Sequence, residues 1–347
     1  MKKKILLTIV AVIIAAGGFI GWKVFGPTVT APEKKYFYIS TGDTYEDVQT
    51  DLHDLKIIQS EAWFNLTAKQ LGYTNKVKAG RYQIKNGMSI FSLIRMLRSG
   101  NQSPVNLVIN KLRTKEDLAQ KIAANFECDS LSVIKLLNDT DSIKKYNLDS
   151  NTVMTAVIPN TYSILWNTSA AKIFKKLFTD QQKFWNDNRL KKAAALKMTP
   201  QQVYTMASIV EEETNKEEDK GNIASVYINR ITTGMKLEAD PTVKFAMRDF
   251  GLKRILNVHL AYPSPYNTYQ QMGLPPGPIC TPSSKTIDAV LNAPQTSYIF
   301  FVAKPDFKGY SNFASNYTEH MVFAKAYRQA LDSLIRAKAA KQQQQVN

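Results

Sequence analysis

The chain has 347 residues, of which 44% are hydrophobic, so it can form two domains with ordinary cores and is not a disordered protein. Forty-five Lys and Arg residues against 29 Asp and Glu residues give a net charge of +16. This charge favours anionic partners such as phospholipid head groups or an acidic wall polymer. The sequence has no phosphate-binding glycine loop, zinc-ligand spacing or recognition-helix motif, and its three histidines are far apart, so we expect no nucleic acid, metal or cofactor.

The N-terminus predicts a membrane anchor over residues 1–26. Residues 5–22 form an uncharged, mostly apolar run of 18, which is near the minimum length for crossing a bilayer. Three lysines at positions 2–4 precede this run and should stay in the cytoplasm, which places the rest of the chain outside it. A cleaved signal peptide is the alternative, but the run ends without a small-x-small cleavage site. We therefore expect a single-pass protein of the inner membrane with periplasmic domains.

Residues 36–124 contain three short units, each a strand followed by a helix, which form an approximate internal repeat. Turn and cap residues such as Thr41-Gly42-Asp43-Thr44 and Asn86-Gly87-Met88-Ser89 separate the strands from the helices. The predicted strands are 37–39, 81–84 and 105–109. Units this small are usually binding or spacer modules, and a mere stalk is the alternative of comparable weight. We expect one small α/β module over residues 36–128.

From residue 129 the pattern becomes mainly helical. We predict helices at about 130–138, 169–188, 200–217, 221–233, 242–249 and 318–337, with a strand at 298–303. A long proline-rich stretch, Tyr262 to Pro282, should be irregular. Its tyrosines and amides would suit a carbohydrate, although a rigid connector has the same composition. The second domain is thus expected over 129–337, followed by a disordered tail, 338–347.

The helix that begins at Thr199 is the most informative element. Thr199 and Gln202 form a capping box, and Pro200 suits the first helical position, so the register of this helix is well fixed. An apolar stripe follows through Val203, Met206, Ala207 and Val210.

Three glutamates arrive while that stripe continues. Glu211 and Glu213 fall near its two edges, whereas Glu212 points the opposite way. A carboxyl held against apolar side chains resists ionisation, so its pKa rises and it can act as a general acid. Glu211 is the leading catalytic candidate on this basis. The alternative is that the acidic run is only a solvated surface.

Several ordered motifs resemble the MltG (YceG-like) family of membrane-anchored endolytic murein transglycosylases, over nearly the whole chain. The segment 207–211 resembles the family's catalytic helix, and 240–243 resembles its Asp-Pro-Thr-Val segment. Residues 266–269 and 273–279 resemble its substrate-cleft loop, and Glu319-His320 its C-terminal motif. Residues 78–82 and 96–100 resemble its LysM-like region. Ser283 departs from the family, which commonly carries glycine there.

The resemblance implies an α+β protein with a transmembrane helix, a LysM-like α/β module and a mainly helical catalytic domain with a small β element. It implies cleavage of the β-1,4 bond between N-acetylmuramic acid and N-acetylglucosamine within a glycan strand, with 1,6-anhydro ends and termination of nascent strands. Peptidoglycan is then the substrate, and peptidoglycan synthases are candidate partners. The predicted site residues are Glu211 as catalytic acid and base, and Glu213, Asp240, Tyr266, Asn267 and Gln270 as substrate contacts.

Two alternatives stay open. A hydrolytic muramidase would need a second carboxyl, which Glu213 or Asp240 could supply. A non-enzymatic wall-binding scaffold would need no acid at all. Cys128 and Cys280 could form one disulfide, which the sequence does not predict.

Overall fold

The computed structural model describes the backbone of residues 2–346 and the side chains of residues 2–338. Mixed helix and strand is confirmed as the fold class. The first part of the chain contains α1 (Lys2–Phe25), β1 (Tyr36–Ile39), α2 (Tyr45–Asp54), α3 (Glu61–Gln70), β2 (Gly80–Gln83), α4 (Ile90–Ser99), β3 (Val105–Ile109) and α5 (Lys115–Ala123).

The remainder contains α6 (Ser130–Asn138), α7 (Thr140–Lys144), a 3₁₀ turn (Val153–Ala156), β4 (Asn160–Ile164), α8 (Ala170–Phe184), α9 (Asp187–Ala195), α10 (Pro200–Glu213), α11 (Glu217–Thr232), α12 (Asp240–Met247), α13 (Asn257–Leu260), α14 (Ser284–Leu291), β5 (Phe300–Ala303), β6 (Ser311–Ala314) and α15 (Tyr317–Val346).

The strands of the described chain form three two-stranded sheets. β1 pairs antiparallel with β2, with Phe37 opposite Tyr82, and β5 pairs antiparallel with β6, with Phe301 opposite Phe313. β3 pairs with β4, which the sequence analysis did not predict. The three strand-helix units of residues 36–124 therefore do not build one common sheet, because the third strand finds its partner outside the repeat.

The helix α1 spans 24 residues, has no buried residue, and is long and apolar enough to cross a membrane. No other helix within residues 2–346 meets both criteria. It covers the whole predicted apolar run 5–22.

The chain divides into two compact units. The first comprises residues 1–107, 122–129 and 162–170, and the second comprises 108–121, 130–161 and 171–347. These units are not the contiguous ranges 36–128 and 129–337 expected from the sequence, which remain proposals about functional modules. Each unit has its own core, built around Phe64, Tyr73 and Leu93 in the first and around Tyr204, Ile209 and Tyr227 in the second.

Three predicted elements need correction. The single helix 169–188 is two helices, because Asn186 caps a new one by accepting a hydrogen bond from the Arg189 amide. α10 ends at Glu213 and not at 217, since Thr214 adopts an extended conformation. The C-terminal helix α15 runs to Val346 and so includes most of the predicted tail 338–347, while Asn347 lies outside the described residues.

Candidate active site

The capping box at the start of α10 is confirmed. The Thr199 hydroxyl accepts a hydrogen bond from the Gln202 amide, and the Gln202 side chain accepts one from the Thr199 amide at 2.8 Å. Every residue from 203 to 210 is buried, so this helix is covered on all sides and not only along its stripe. A helix surrounded in this way holds the side chains that emerge at its C-terminal end in fixed positions.

Glu213 is the last residue of α10, and its carboxyl group faces a cleft. The Tyr227 hydroxyl donates a hydrogen bond of 2.7 Å to its Oε1. Burial is the main cause that raises the pKa of Glu213 to about 7, and the negative charge of Asp240 adds to the effect. The partial negative charge at a helix C-terminus acts in the same direction. Glu213 is therefore the carboxyl that can exchange a proton near neutral pH.

The cleft has a volume of about 390 Å³ and lies within the second unit. It combines carboxyl groups with aromatic rings, which is a usual composition for a site that holds a sugar ring and reacts with its glycosidic oxygen. The lining residues are Glu213, Tyr227, Arg230, Leu237, Glu238, Asp240, Tyr269, Phe300, Phe301, Tyr317 and His320.

Arg230 holds the cleft wall together. Its guanidinium donates to the Ile299 carbonyl at 2.7 Å and to the Leu237 carbonyl at 2.9 Å, and it also pairs with Glu238. The ring of Phe300 lies 5.3 Å from the guanidinium carbon and stacks on His320. One side chain thus ties α11 to the residue before β5 and to the segment before α12.

Asp240 begins α12 and lies in the same cleft as Glu213. The Tyr269 hydroxyl donates a hydrogen bond of 2.8 Å to its Oδ1. Two threonines fix the start of α12. Thr268 Oγ1 accepts a hydrogen bond from the Ala239 amide and lies 2.9 Å from Thr242 Oγ1. The irregular loop thus orients Asp240. The prediction that residues 262–282 are irregular is confirmed, because these residues, all of them described, contain neither helix nor strand.

Glu211 has a different environment from the one that the stripe suggested. Its Oε2 receives hydrogen bonds from the ammonium of Lys220 at 3.3 Å, from Ser283 at 3.2 Å and from Thr286. These donors belong to α11 and to the start of α14, so the carboxylate links three helices. A cation and two hydroxyls surround it in place of the apolar contacts that we expected.

Glu212 does not lie on a solvated face. Its side chain is 14% exposed and pairs with Lys111 at 3.1 Å and with both Nε and Nη2 of Arg113. Those partners keep its pKa below the usual range in spite of burial. The acidic run is therefore not only a solvated surface, because the segment around residues 111–113 packs on that side of α10.

The three amide and tyrosine candidates of the loop lie elsewhere. Asn267 is fully buried, and its amide nitrogen donates to the carbonyls of Leu260 and Tyr262. Gln270 also donates to the Leu260 carbonyl, at 2.7 Å. Tyr266 lines a separate cavity. In this conformation Asn267 and Gln270 hold the loop, and their predicted contact with substrate stays a prediction.

A family model described as the YceG-like family matches residues 37–326. The chain belongs to the YceG-like family. It is similar to an endolytic murein transglycosylase of Bacillus subtilis strain 168, with 27% identity over 313 residues that cover 84% of this chain and 85% of that protein. The protein of the same name from Streptococcus pneumoniae strain D39 is 26% identical over 348 residues, covering 89% of this chain and 62% of that protein.

A crystal structure of a yceG-like protein from Listeria monocytogenes is also similar. The two chains superpose with a TM-score of 0.55 and share 27% identity, over 83% of this chain and 98% of that one. The YceG-like fold therefore extends over both compact units.

Several cleft residues of this YceG-like chain escaped the sequence analysis. Tyr227 and Arg230 are polar residues three apart on the buried face of α11, which is a detectable signal because a core face normally carries apolar side chains. Tyr269 and His320 lie inside motifs that the sequence analysis quoted without assigning a role to either residue. Phe300 and Tyr317 carried no signal, since only the tertiary fold brings their rings to the cleft.

Proposed function

We propose that this chain is an endolytic lytic transglycosylase of peptidoglycan, which cleaves the β-1,4 bond on the muramoyl side and leaves 1,6-anhydro ends. The observation that carries the proposal is Glu213, a carboxyl whose pKa burial raises to about 7, at the end of a buried helix and in an aromatic cleft. Membership of the YceG-like family, with relatives named endolytic murein transglycosylase, supports the same function. Termination of nascent strands is the cellular role that this activity would serve.

Glu213 can perform both proton transfers. In its neutral form it protonates the glycosidic oxygen, and the bond from that oxygen to C1 of the muramoyl sugar breaks. The carboxylate then takes the proton of the C6 hydroxyl while that oxygen forms its bond to C1, so Glu213 is neutral again and no water is consumed. A pKa near the working pH serves both steps, because the same group must give and then take a proton.

The environment of the two glutamates supports Glu213 over Glu211 for this role. Three donors hold one oxygen of Glu211, and a buried ammonium is among them, so this carboxyl is occupied by contacts within the protein. Glu213 has one hydroxyl donor and an open cleft before it. Glu213→Gln should lower turnover by about 10²-fold to 10⁴-fold, whereas Glu211→Gln should act mainly on stability. The reverse pattern would restore Glu211 as the acid.

Aromatic side chains of the cleft would hold the sugar. Tyr269, Phe300 and Tyr317 offer ring faces for the apolar faces of pyranose rings, and Asp240 and Arg230 offer polar atoms for the hydroxyl and acetamido groups. Tyr266, Asn267 and Gln270 would contribute by keeping the loop in shape. Asp240 would orient the cleft through Tyr269.

A hydrolytic muramidase is the second candidate, because Asp240 and Glu213 line one cleft and a hydrolase uses two carboxyls. Digestion of purified wall in oxygen-18 water by the full-length chain in detergent separates the two. Mass spectrometry should find unlabelled 1,6-anhydro ends within strands. Reducing ends that carry the label would show that water is the nucleophile. The absence of any cleavage would favour a wall-binding scaffold, for which a carboxyl with a raised pKa has no use.

We further propose that α1 anchors the protein in the inner membrane and that the parts of both compact units that follow α1 lie in the periplasm. The apolar length of α1 and the lysines before it support this orientation. Residues 36–128 would act as a LysM-like glycan-binding module, and peptidoglycan synthases would be partners in the same membrane.

A further inference from the structure

A second cavity of the second unit is strongly basic. It has a volume of about 310 Å³, and Arg113, Lys115 and Arg248 contribute to its lining. The rings of Phe245 and Tyr266 form part of its wall, with their centroids 4.8 Å apart. None of the described residues that line it is acidic. We call this cavity the basic pocket.

The three cations differ in how far they are neutralised. Arg113 forms two hydrogen bonds with Glu212, and Arg248 pairs with Glu116 at 3.2 Å. The ammonium of Lys115 donates to the neutral amide oxygen of Asn138 at 2.6 Å. Burial lowers the pKa of Lys115, the charge of Glu116 partly offsets this effect, and the charge of Arg248 lowers the pKa again. A bound anion would relieve the burial of the ammonium and its repulsion from Arg248, so Lys115 is the group that gains most from one.

The basic pocket and the Glu213 cleft are joined by α12. Asp240, its first residue, lines the cleft, and Phe245 and Ala246 line the basic pocket. Pro241 and Lys244 line a third, small cavity. Phe245 and Arg113 line both this small cavity and the basic pocket. At 1.5 Å per residue, Phe245 and Ala246 lie about 8–9 Å along α12 from Asp240. A disaccharide of a glycan strand can span such a distance.

We propose, on the basis of the proposed function, that the basic pocket binds a carboxylate of the stem peptide carried by a muramoyl residue one disaccharide away from the cleaved bond. Muramoyl residues alternate along the strand, and each can carry a peptide with carboxylate groups. Sugar hydroxyls alone do not require three cations, whereas a carboxylate forms charge-assisted hydrogen bonds with Lys and Arg. The aromatic pair would cover the aliphatic part of the peptide.

The experiment compares glycan strands that carry stem peptides with strands from which an amidase has removed them. The full-length chain in detergent is used with Lys115→Met, which keeps the length of the side chain and removes its charge. The ratio of KM for peptide-bearing strands to KM for denuded strands should rise about tenfold. Lys191→Met, an exposed lysine on α9, is the matched control and should leave the ratio as in the parent chain. An unchanged ratio in Lys115→Met would overturn the proposal.

A binding assay keeps the test independent of cleavage. Calorimetry with a soluble disaccharide-peptide and with the same disaccharide without peptide needs no turnover. If the parent chain cleaves neither kind of strand but Lys115→Met loses about tenfold in affinity for the peptide form alone, the proposed function fails and the pocket assignment stands. If both forms bind equally, or a phosphate-rich wall polymer without peptide binds as well as the peptide form, the assignment fails.

Discussion

The pH dependence of cleavage follows from the pKa of Glu213. A glutamate has an ordinary pKa of 4.5, and the cleft raises that of Glu213 to about 7. At pH 7 the neutral form would then be about half of the enzyme, compared with about 0.3% for an ordinary glutamate, a gain of about 150-fold in the active form. The value of kcat/KM should therefore fall above pH 7, by about tenfold per pH unit.

Tyr227→Phe tests how the hydrogen bond from Tyr227 affects the pKa of Glu213. The Tyr227 hydroxyl donates to Glu213 Oε1 at 2.7 Å and so stabilises the ionised form. Its removal should raise the pKa of Glu213 further and move the falling limb of the profile to higher pH, by up to about one unit. Turnover should also fall, since the carboxyl loses its fixed orientation. Tyr327→Phe, whose ring packs against Phe307 outside the cleft lining, is the control.

The assay is release of soluble muropeptides from purified wall between pH 5 and 9, with saturation curves at each pH. A kcat/KM that in the parent chain already falls about tenfold per pH unit from pH 5 upward would refute the assignment of Glu213 as the acid. A limb that stays in place in Tyr227→Phe would refute the role of its hydroxyl, even if turnover falls, because misfolding lowers turnover without moving the limb.

Three further predictions concern stability and location. Glu211→Gln should lower the free energy of unfolding by about 1–3 kcal/mol in urea titrations at pH 7, because buried Lys220 loses a charged partner. The control is Glu218→Gln on the exposed side of α11, which should change the free energy of unfolding by less than about 0.5 kcal/mol. Glu212→Gln should also cost about 1–3 kcal/mol, and a silent variant would mean that its ion pairs contribute nothing. Fractionation should recover the protein in the membrane with α1 attached, and a soluble species beginning near residue 27 would indicate a cleaved signal peptide.

Local signals predicted the elements that depend on local chemistry. β3 and α6 have the bounds that the sequence indicated. The alternation of apolar and polar residues marks the strand, and the helical spacing of apolar residues marks the helix. β4 and β6 were missed, since their short sequences become strands only through pairing with a distant or adjacent partner. α14 was also missed, although Ser283 caps it, because the preceding proline-rich stretch obscured its start.

The candidate site shows the same limit. The helix phase placed both Glu211 and Glu213 at the edges of an apolar stripe, and the preference for Glu211 does not follow from this geometry, which treats the two edges alike. The ranking depends on what faces each carboxyl, namely Lys220 and two hydroxyls for Glu211, and Tyr227 with an open cleft for Glu213. Tyr227 is 14 residues away along the chain, on another helix, so a pattern within α10 contains no information about it.

The irregular loop contacts both α10, which ends at Glu213, and the start of α12. One end of the loop is fixed to α10, because the Ile279 amide donates to Ser208 Oγ at 3.0 Å. Its other part fixes the start of α12 through Thr268 and reaches Asp240 through Tyr269. A single segment thus sets the separation between the helix that ends at Glu213 and the helix that begins with Asp240. The contacts come from Thr268, Tyr269 and Ile279, so the geometry of the cleft depends on a segment without regular structure.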